Sequence, residues 1–131
     1  MLVTTLGMLR AQGKREQNPS VGQPNTASGK EAFLKYCASC HGEDGKGTGP
    51  AAIALKPPPS DLTTLSRRHE GKYPAGYVSA LVKFGRSLAA HGSLNMPVWG
   101  SRFKELDPVR DPTGQDHVDD VVAYIRSLQA K

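Results

Sequence analysis

The sequence is poor in the residues that build a large core. Aromatic residues make up 6% of its 131 positions and hydrophobic residues 37%, and there is a single tryptophan. A chain of this length suits one domain and buries only part of its surface on folding. So lean a core points to outside help, such as a metal or cofactor that supplies apolar surface. Long hydrophobic runs are also missing. No stretch approaches the roughly 20 apolar residues that span a bilayer. The opening MLVTTLGMLRAQG is mildly apolar but lacks a basic n-region and has only a short apolar stretch. It reads either as the end of a signal sequence that starts upstream or as a plain tail. No cysteine lies in it, so a lipoprotein anchor has no support in the sequence.

Runs of like charge are absent as well. Lys and Arg number 17 against 12 Asp and Glu, a formal charge of +5, yet no five basic residues are contiguous. Nucleic-acid binding therefore has little support. Arg10, Lys14 and Arg15 against Glu16 account for +2 of the excess, leaving +3 for residues 17–131. That remainder reads as a solvated basic surface, or as a docking face for acidic partners that acts mainly on encounter rates. Only two cysteines are present, too few for a disulfide framework.

What is present has a clear order. Residues 1–27 are rich in Gln, Asn, Pro, Ser and Gly without periodicity, and read as a flexible lead or tether. The ordered domain is expected over 28–131. Ser28 with Glu31 three residues later forms a capping-box signature. Phe33, Tyr36, Cys37 and Cys40 follow at helical spacing, predicting one helix from Ser28 to about His41. Gly42, Gly45, Gly47, Gly49 and Pro50 end it. A proline-stiffened loop covers Leu55 to Thr63. A middle helix is expected from Pro74 to Gly85, with Tyr77, Val78, Leu81 and Val82 as its buried stripe. Residues 91–100 read as loop. Val118, Val121, Val122, Ile125 and Leu128 predict a last helix from about Asp116 to Gln129. The whole is all-α, three to five helices joined by long Gly/Pro loops. Such loops are unusual in a compact domain unless something organises them.

Cys37-Ala-Ser-Cys40-His41 carries the chemistry. Residues three apart on a helix share a face. Two thiols so placed can each form a thioether with a vinyl group on one haem edge, and the adjacent imidazole can ligate the iron; the pattern is that of covalent c-type haem attachment. A thioredoxin-like pair would open a helix after a strand, whereas this pair closes a helix with no strand before it. A structural zinc site needs four ligands, and only three candidates are present. A plain disulfide leaves His41 unexplained.

The wider sequence resembles the small bacterial class I cytochromes c, mono-haem proteins, over about Ser28 to Leu128. GKEAFLKYCASCHGEDGKGTGPAAIAL resembles that family's first helix, haem site and following loop, NMPVWG its distal-ligand loop, and VDDVVAYIRSLQ its closing helix. The resemblance implies a small cytochrome c fold wrapped around one covalently attached haem c. It implies thioethers from Cys37 and Cys40, His41 as proximal and Met96 as distal iron ligand. Pro50 would offer its carbonyl to the second nitrogen of the proximal imidazole, a bond that orients the ligand and raises its basicity. Gly29 and Phe33 would meet Tyr124 where the first and last helices cross. Met96 is the one methionine of the ordered region, and a thioether suits haem iron. His91 is its rival in the same loop, while His69 and His117 read as surface residues. Trp99 either packs in the core or donates its indole N–H to a haem propionate; Arg86 and Arg102 are weaker propionate candidates.

With both axial positions filled by protein, iron can do little but change oxidation state. The expected function is single-electron transfer between redox protein partners, not catalysis, with the chain free or a subunit of a respiratory or dehydrogenase complex. The alternative is a haem sensor or catalytic subunit with a displaceable distal ligand. Covalent haem attachment implies a periplasmic or otherwise extracytoplasmic site.

Overall fold

The computed structural model describes residues 22–85 and 96–131. Among these residues lie six α-helices and no strand: α1 (Thr26–Tyr36), α2 (Ala38–His41), α3 (Leu65–Arg68), α4 (Ala75–Phe84), α5 (Trp99–Leu106) and α6 (Gln115–Ser127). Short 3-10 turns at Ala52–Ala54 and Leu62–Thr64 lie in the long connection between α2 and α3. The all-α expectation holds, and two of the six helices are single turns.

The first helix departs from expectation at both ends. Asn25, not Ser28, is its cap: the Asn25 side chain accepts hydrogen bonds from the backbone N–H groups of Ala27 and Ser28 at 2.9 and 3.2 Å. The Asn25 N–H donates to the Asp120 carboxylate at 2.6 Å, so α6 fixes where α1 begins. Nor does the helix run through to His41. It stops at Tyr36, the chain turns at Cys37, and α2 restarts at Ala38. The glycine-rich loop folds back on α2: the N–H groups of Ala51, Gly49 and Gly47 donate to the carbonyls of Ser39, Cys40 and His41. These are the orphan acceptors of a helix end. A Cβ on Gly49 would meet the Ala38 and Ser39 carbonyl oxygens, so only glycine lets the loop approach this closely.

The expected crossing of first and last helices is present. Phe33 and Tyr124 lie with ring centroids 5.3 Å apart and planes tilted by 58°, and Phe33 is fully buried. Gly29 sits against the α6 backbone, where an added Cβ would run into the Asp120 carbonyl oxygen. Neither partner is the free end of a side chain, so the helices must separate to admit a methyl group. We expect Gly29→Ala to destabilise the folded protein by about 1–3 kcal/mol, the usual cost of overpacking, read as a lower guanidinium midpoint with the slope unchanged.

α4 stops at Gly85, as expected (φ +67°), but Pro74 is its cap rather than its first residue. Val78 and Val82 are buried while Tyr77, placed in the stripe by the sequence, is 45% exposed. α5 lies partly in the segment read as loop. Its Trp99 and Phe103 form an aromatic cluster with Tyr36, with centroid separations of 5.4, 5.7 and 5.8 Å. Aromatic packing thus makes a helix of a stretch whose loop-like neighbours, Pro97 and Gly100, dominate its sequence.

α6 buries Val118, Val121, Val122 and Ile125 as predicted. His117, read as a surface residue, is not one. Its ring stacks on Phe103 at 5.5 Å, and its Nδ1 lies 2.7 Å from the carboxylate of Asp111, which is 1% exposed. The same carboxylate oxygen accepts the His117 backbone N–H at 3.0 Å, in the first turn of α6. Burial acts to raise the Asp111 pKa, but the hydrogen bonds from His117 and the Asp116 N–H outweigh it and hold it below the ordinary value. A depressed carboxylate stabilises the fold above its unfolded pKa of about 4 and ceases to do so as pH falls through the lower folded value. We therefore expect Asp111→Asn to cost about 1–3 kcal/mol near neutrality. The gap between variant and wild type should close at the acid end of a pH-dependent unfolding series.

Candidate functional site

The α1–α2 junction, the proline segment and the start of α5 enclose a cleft with two connected lobes. The smaller is lined by Tyr36, Cys37, Cys40, His41, Leu55, Pro57–Pro59, Ser60, Met96, Pro97 and Trp99. The larger is walled by the apolar faces of α1, α4 and α6, with Phe33, Val78, Leu81, Val82, Val121 and Ile125 among its residues. Cys37, His41, Ser60 and Met96 line both. The larger lobe has a volume of about 350 Å³, on the scale of sites that bury a cofactor. The expected α4 stripe therefore faces this cleft rather than a solid core.

The chain turn at Cys37 separates the two thiols from a single straight helix. Cys37 is buried, Cys40 is half-exposed, and both are free. Burial, and secondarily the neighbouring Cys40, push the Cys37 thiol up to about 12. It is thus a neutral S–H in an apolar wall. Among the described residues no three His, Cys, Asp or Glu side chains come together to hold a metal ion. No strand precedes the pair either, so a thioredoxin-like setting is absent among the described residues.

His41 is half-buried, with Nδ1 3.1 Å from the backbone carbonyl of Ser60. This corrects the expectation for Pro50. Pro50 is exposed and lines a separate shallow groove with Leu34, Ser39 and Glu43. The acceptor comes instead from the end of the proline segment, which crosses the cleft while the TGP turn points away from it. The sequence signal was available in PPPSDL: three prolines stiffen the approach to Ser60, and Asp61 then caps the turn by accepting the Thr63 N–H at 2.8 Å. Burial lowers the His41 pKa, with the Ser60 hydrogen bond acting the other way. The net result favours the neutral imidazole, the form that ligates metals. With Nδ1 engaged, the ring's Nε2 is left to face a ligand.

Met96 and Trp99 both line the smaller lobe. Trp99 packs on Tyr36 and Phe103, as its core reading expected, and also borders the cleft. His69 is exposed at the mouth of the larger lobe, 5.9 Å from the Tyr77 ring. Arg102 is exposed on α5 and lines neither lobe. Arg86 and His91 lie outside the described residues.

The donor set fits a covalently held haem: two thiols, one oriented neutral imidazole and one thioether, on a mainly apolar cavity that also carries Ser60, Arg68 and His69. Comparison with curated proteins returns no match. The family model for cytochrome c matches residues 26–129, most of the chain. No helix among the described residues is long and apolar enough to cross a membrane. The chain belongs to the cytochrome c family, and with it comes covalently bound haem c, iron-based electron transfer and exchange of electrons with redox partners.

Proposed function

We propose that the protein is a mono-haem electron carrier in which Cys37 and Cys40 form the thioethers and His41 and Met96 are the two axial ligands. The observation that carries this reading is that His41 and Met96 line both lobes of one cleft, with the cysteines on the same wall. When bound, the haem supplies the Fe(III)/Fe(II) couple. The chain's own residues do the rest. The Ser60 carbonyl accepts a hydrogen bond from the Nδ1–H and fixes the ring orientation of His41, which raises its basicity as a ligand. The apolar faces of α1, α4 and α6 lower the polarity around the cavity, and low polarity around a site helps set its potential. Exposed Pro57, Pro58 and Pro97 give the smaller lobe an apolar rim, suited to the small transient contacts of redox partners. Maturation with covalent haem places the protein outside the cytoplasm, as a free carrier or as a small subunit of a respiratory or dehydrogenase complex.

A difference spectrum tests the ligand set. The oxidised protein should show the weak far-red band of methionine-ligated ferric haem, and the reduced protein should not bind carbon monoxide. Loss of the band in wild type, with His91→Ala altering the spectrum, would make His91 the ligand. Rapid carbon monoxide binding would favour a sensor or catalytic subunit with a displaceable Met96.

A further inference from the structure

The two lobes of the cleft differ in the chemistry of their openings. No Asp, Glu, Lys or Arg side chain lines the smaller lobe, whose rim is proline. Exposed Arg68, His69 and Tyr77 line the larger one and mark its mouth. Charge is concentrated at that mouth. Residues 67–72 hold Arg67, Arg68 and Lys72 against Glu70, a net +2, while residues 17–131 as a whole carry only +3. The rest of the domain is therefore close to neutral, and its excess is a local feature with a local field.

The turn that carries these residues is tightly built. Arg68 donates from Nη2 to the Asp61 carbonyl at 2.6 Å and from Nε to the Thr64 hydroxyl at 3.2 Å. Both acceptors are neutral, so they fix the guanidinium without cancelling its charge. Beyond α3 the Gly71 N–H donates to the Ser66 carbonyl and the Lys72 N–H to the His69 carbonyl, each at 2.9 Å, which brings Lys72 back beside His69. Closing this turn holds Glu70 at φ +56°, a left-handed backbone that residues other than glycine seldom adopt. The Tyr77 ring stands 5.9 Å from that of His69 and is 45% exposed. None of Arg67, Arg68 and Lys72 belongs to an ion pair among the described residues. The Asp61 carboxylate lies in the field of Arg68 but is bonded to the Thr63 N–H and hydroxyl. Arginine and tyrosine are among the side chains that carry most binding energy at protein interfaces, and a cation already held in place loses little freedom on binding.

We propose that Arg67, Arg68, His69, Lys72 and Tyr77 form a docking surface for an acidic redox protein, separate from the proline rim of the smaller lobe. The inference rests on the chain being an electron carrier. Carboxylates of the partner meet the three cations, and a partner seated there stands at an opening of the cofactor cavity. A membrane contact would have no need of that placement. The charges act mainly on the rate of encounter. The proline rim has only Lys56 beside it, so it lacks this attraction and is left to a partner of apolar surface.

Two measurements on the matured holoprotein test the proposal. The first maps an anionic paramagnet, hexacyanochromate(III), on the isotope-labelled ferrous protein at low ionic strength. Amide relaxation should be enhanced several-fold more at residues 66–72 and Tyr77 than at Leu55, Lys56 and Ser60. The second follows oxidation of the ferrous protein by hexacyanoferrate(III). Arg67→Glu/Lys72→Glu, which leaves the residues lining the lobe in place, should slow it about tenfold at low salt, and high salt should close the gap. Arg102→Glu/Lys104→Glu makes the same change in net charge at exposed positions of α5 that line neither lobe, and should alter the rate less than about twofold. Equal slowing by the two pairs overturns the proposal, as does relaxation along the proline segment as strong as at residues 66–72. Uniform relaxation, with wild-type protein sedimenting on phosphatidylglycerol vesicles, overturns it in favour of a membrane contact. A wrong ligand assignment shows separately, as a missing far-red band, and leaves the map of the anion unchanged.

Discussion

Replacing both Cys37 and Cys40 by alanine should leave the protein without covalent haem and without most of its native helix. The expectation follows from the volume of the cleft. A cavity of about 350 Å³ runs between α1, α4 and α6. At roughly 24 cal/mol for each Å³ of enclosed apolar space, leaving it unfilled would cost at most about 8 kcal/mol, and less because Ser60, Arg68 and His69 also line it and it opens to solvent. Whole domains of this size are stable by only about 5–15 kcal/mol. Water entering past Arg68 and His69 relieves some of that cost, but the buried residues Phe33, Val78, Val82, Val121 and Ile125 that also line the space are apolar and offer water no partners. The sequence has no aromatic surplus with which to fill the gap. Far-UV circular dichroism of Cys37→Ala/Cys40→Ala, expressed with a working maturation system, should show most helical signal lost; native-like helicity in colourless protein would contradict the account.

The second large effect is electronic. Met96→His should lower the reduction potential by a sizeable part of the ~0.8 V range over which axial ligands move haem, since methionine paired with histidine raises the potential. The direction is set by the softness of the thioether, which favours the ferrous state. His91→Ala, made as the companion variant, should leave the potential near that of wild type. Both values come from a redox titration followed in the α band, and a drop of similar size in His91→Ala would reassign the distal ligand.

The residues that act through their own chemistry were legible in the sequence. Cys37, Cys40 and His41 declare themselves by spacing and the α6 valines by period, while Gly29 was singled out only through the resemblance to the cytochromes c. What escaped was set by contacts between distant segments. Ser28 looks like a cap, but Asn25 takes the role because Asp120 of α6 anchors its N–H. Pro50 looks like the backbone acceptor for His41, but which of several loop carbonyls reaches Nδ1 depends on how the proline segment crosses the cleft, and Ser60 does so. His117 looks like an exposed first-turn residue, yet Asp111 and Phe103 enclose it from outside its own helix. Gln129 had no signal at all: its hydrogen bonds exist only once the α6 terminus lies beside Leu62 and Ser66. α5 was missed because Trp99 and Phe103 earn their helix from Tyr36, on α1.

The central claim is that two sulfurs of this chain are bonded to a porphyrin. Intact-mass measurement of protein produced with cytochrome-maturation machinery tests it most directly, under denaturing conditions that strip any non-covalent cofactor. The account predicts a chain heavier by one haem, and a return to the bare polypeptide mass in Cys37→Ala/Cys40→Ala. A wild-type chain at bare polypeptide mass would contradict it.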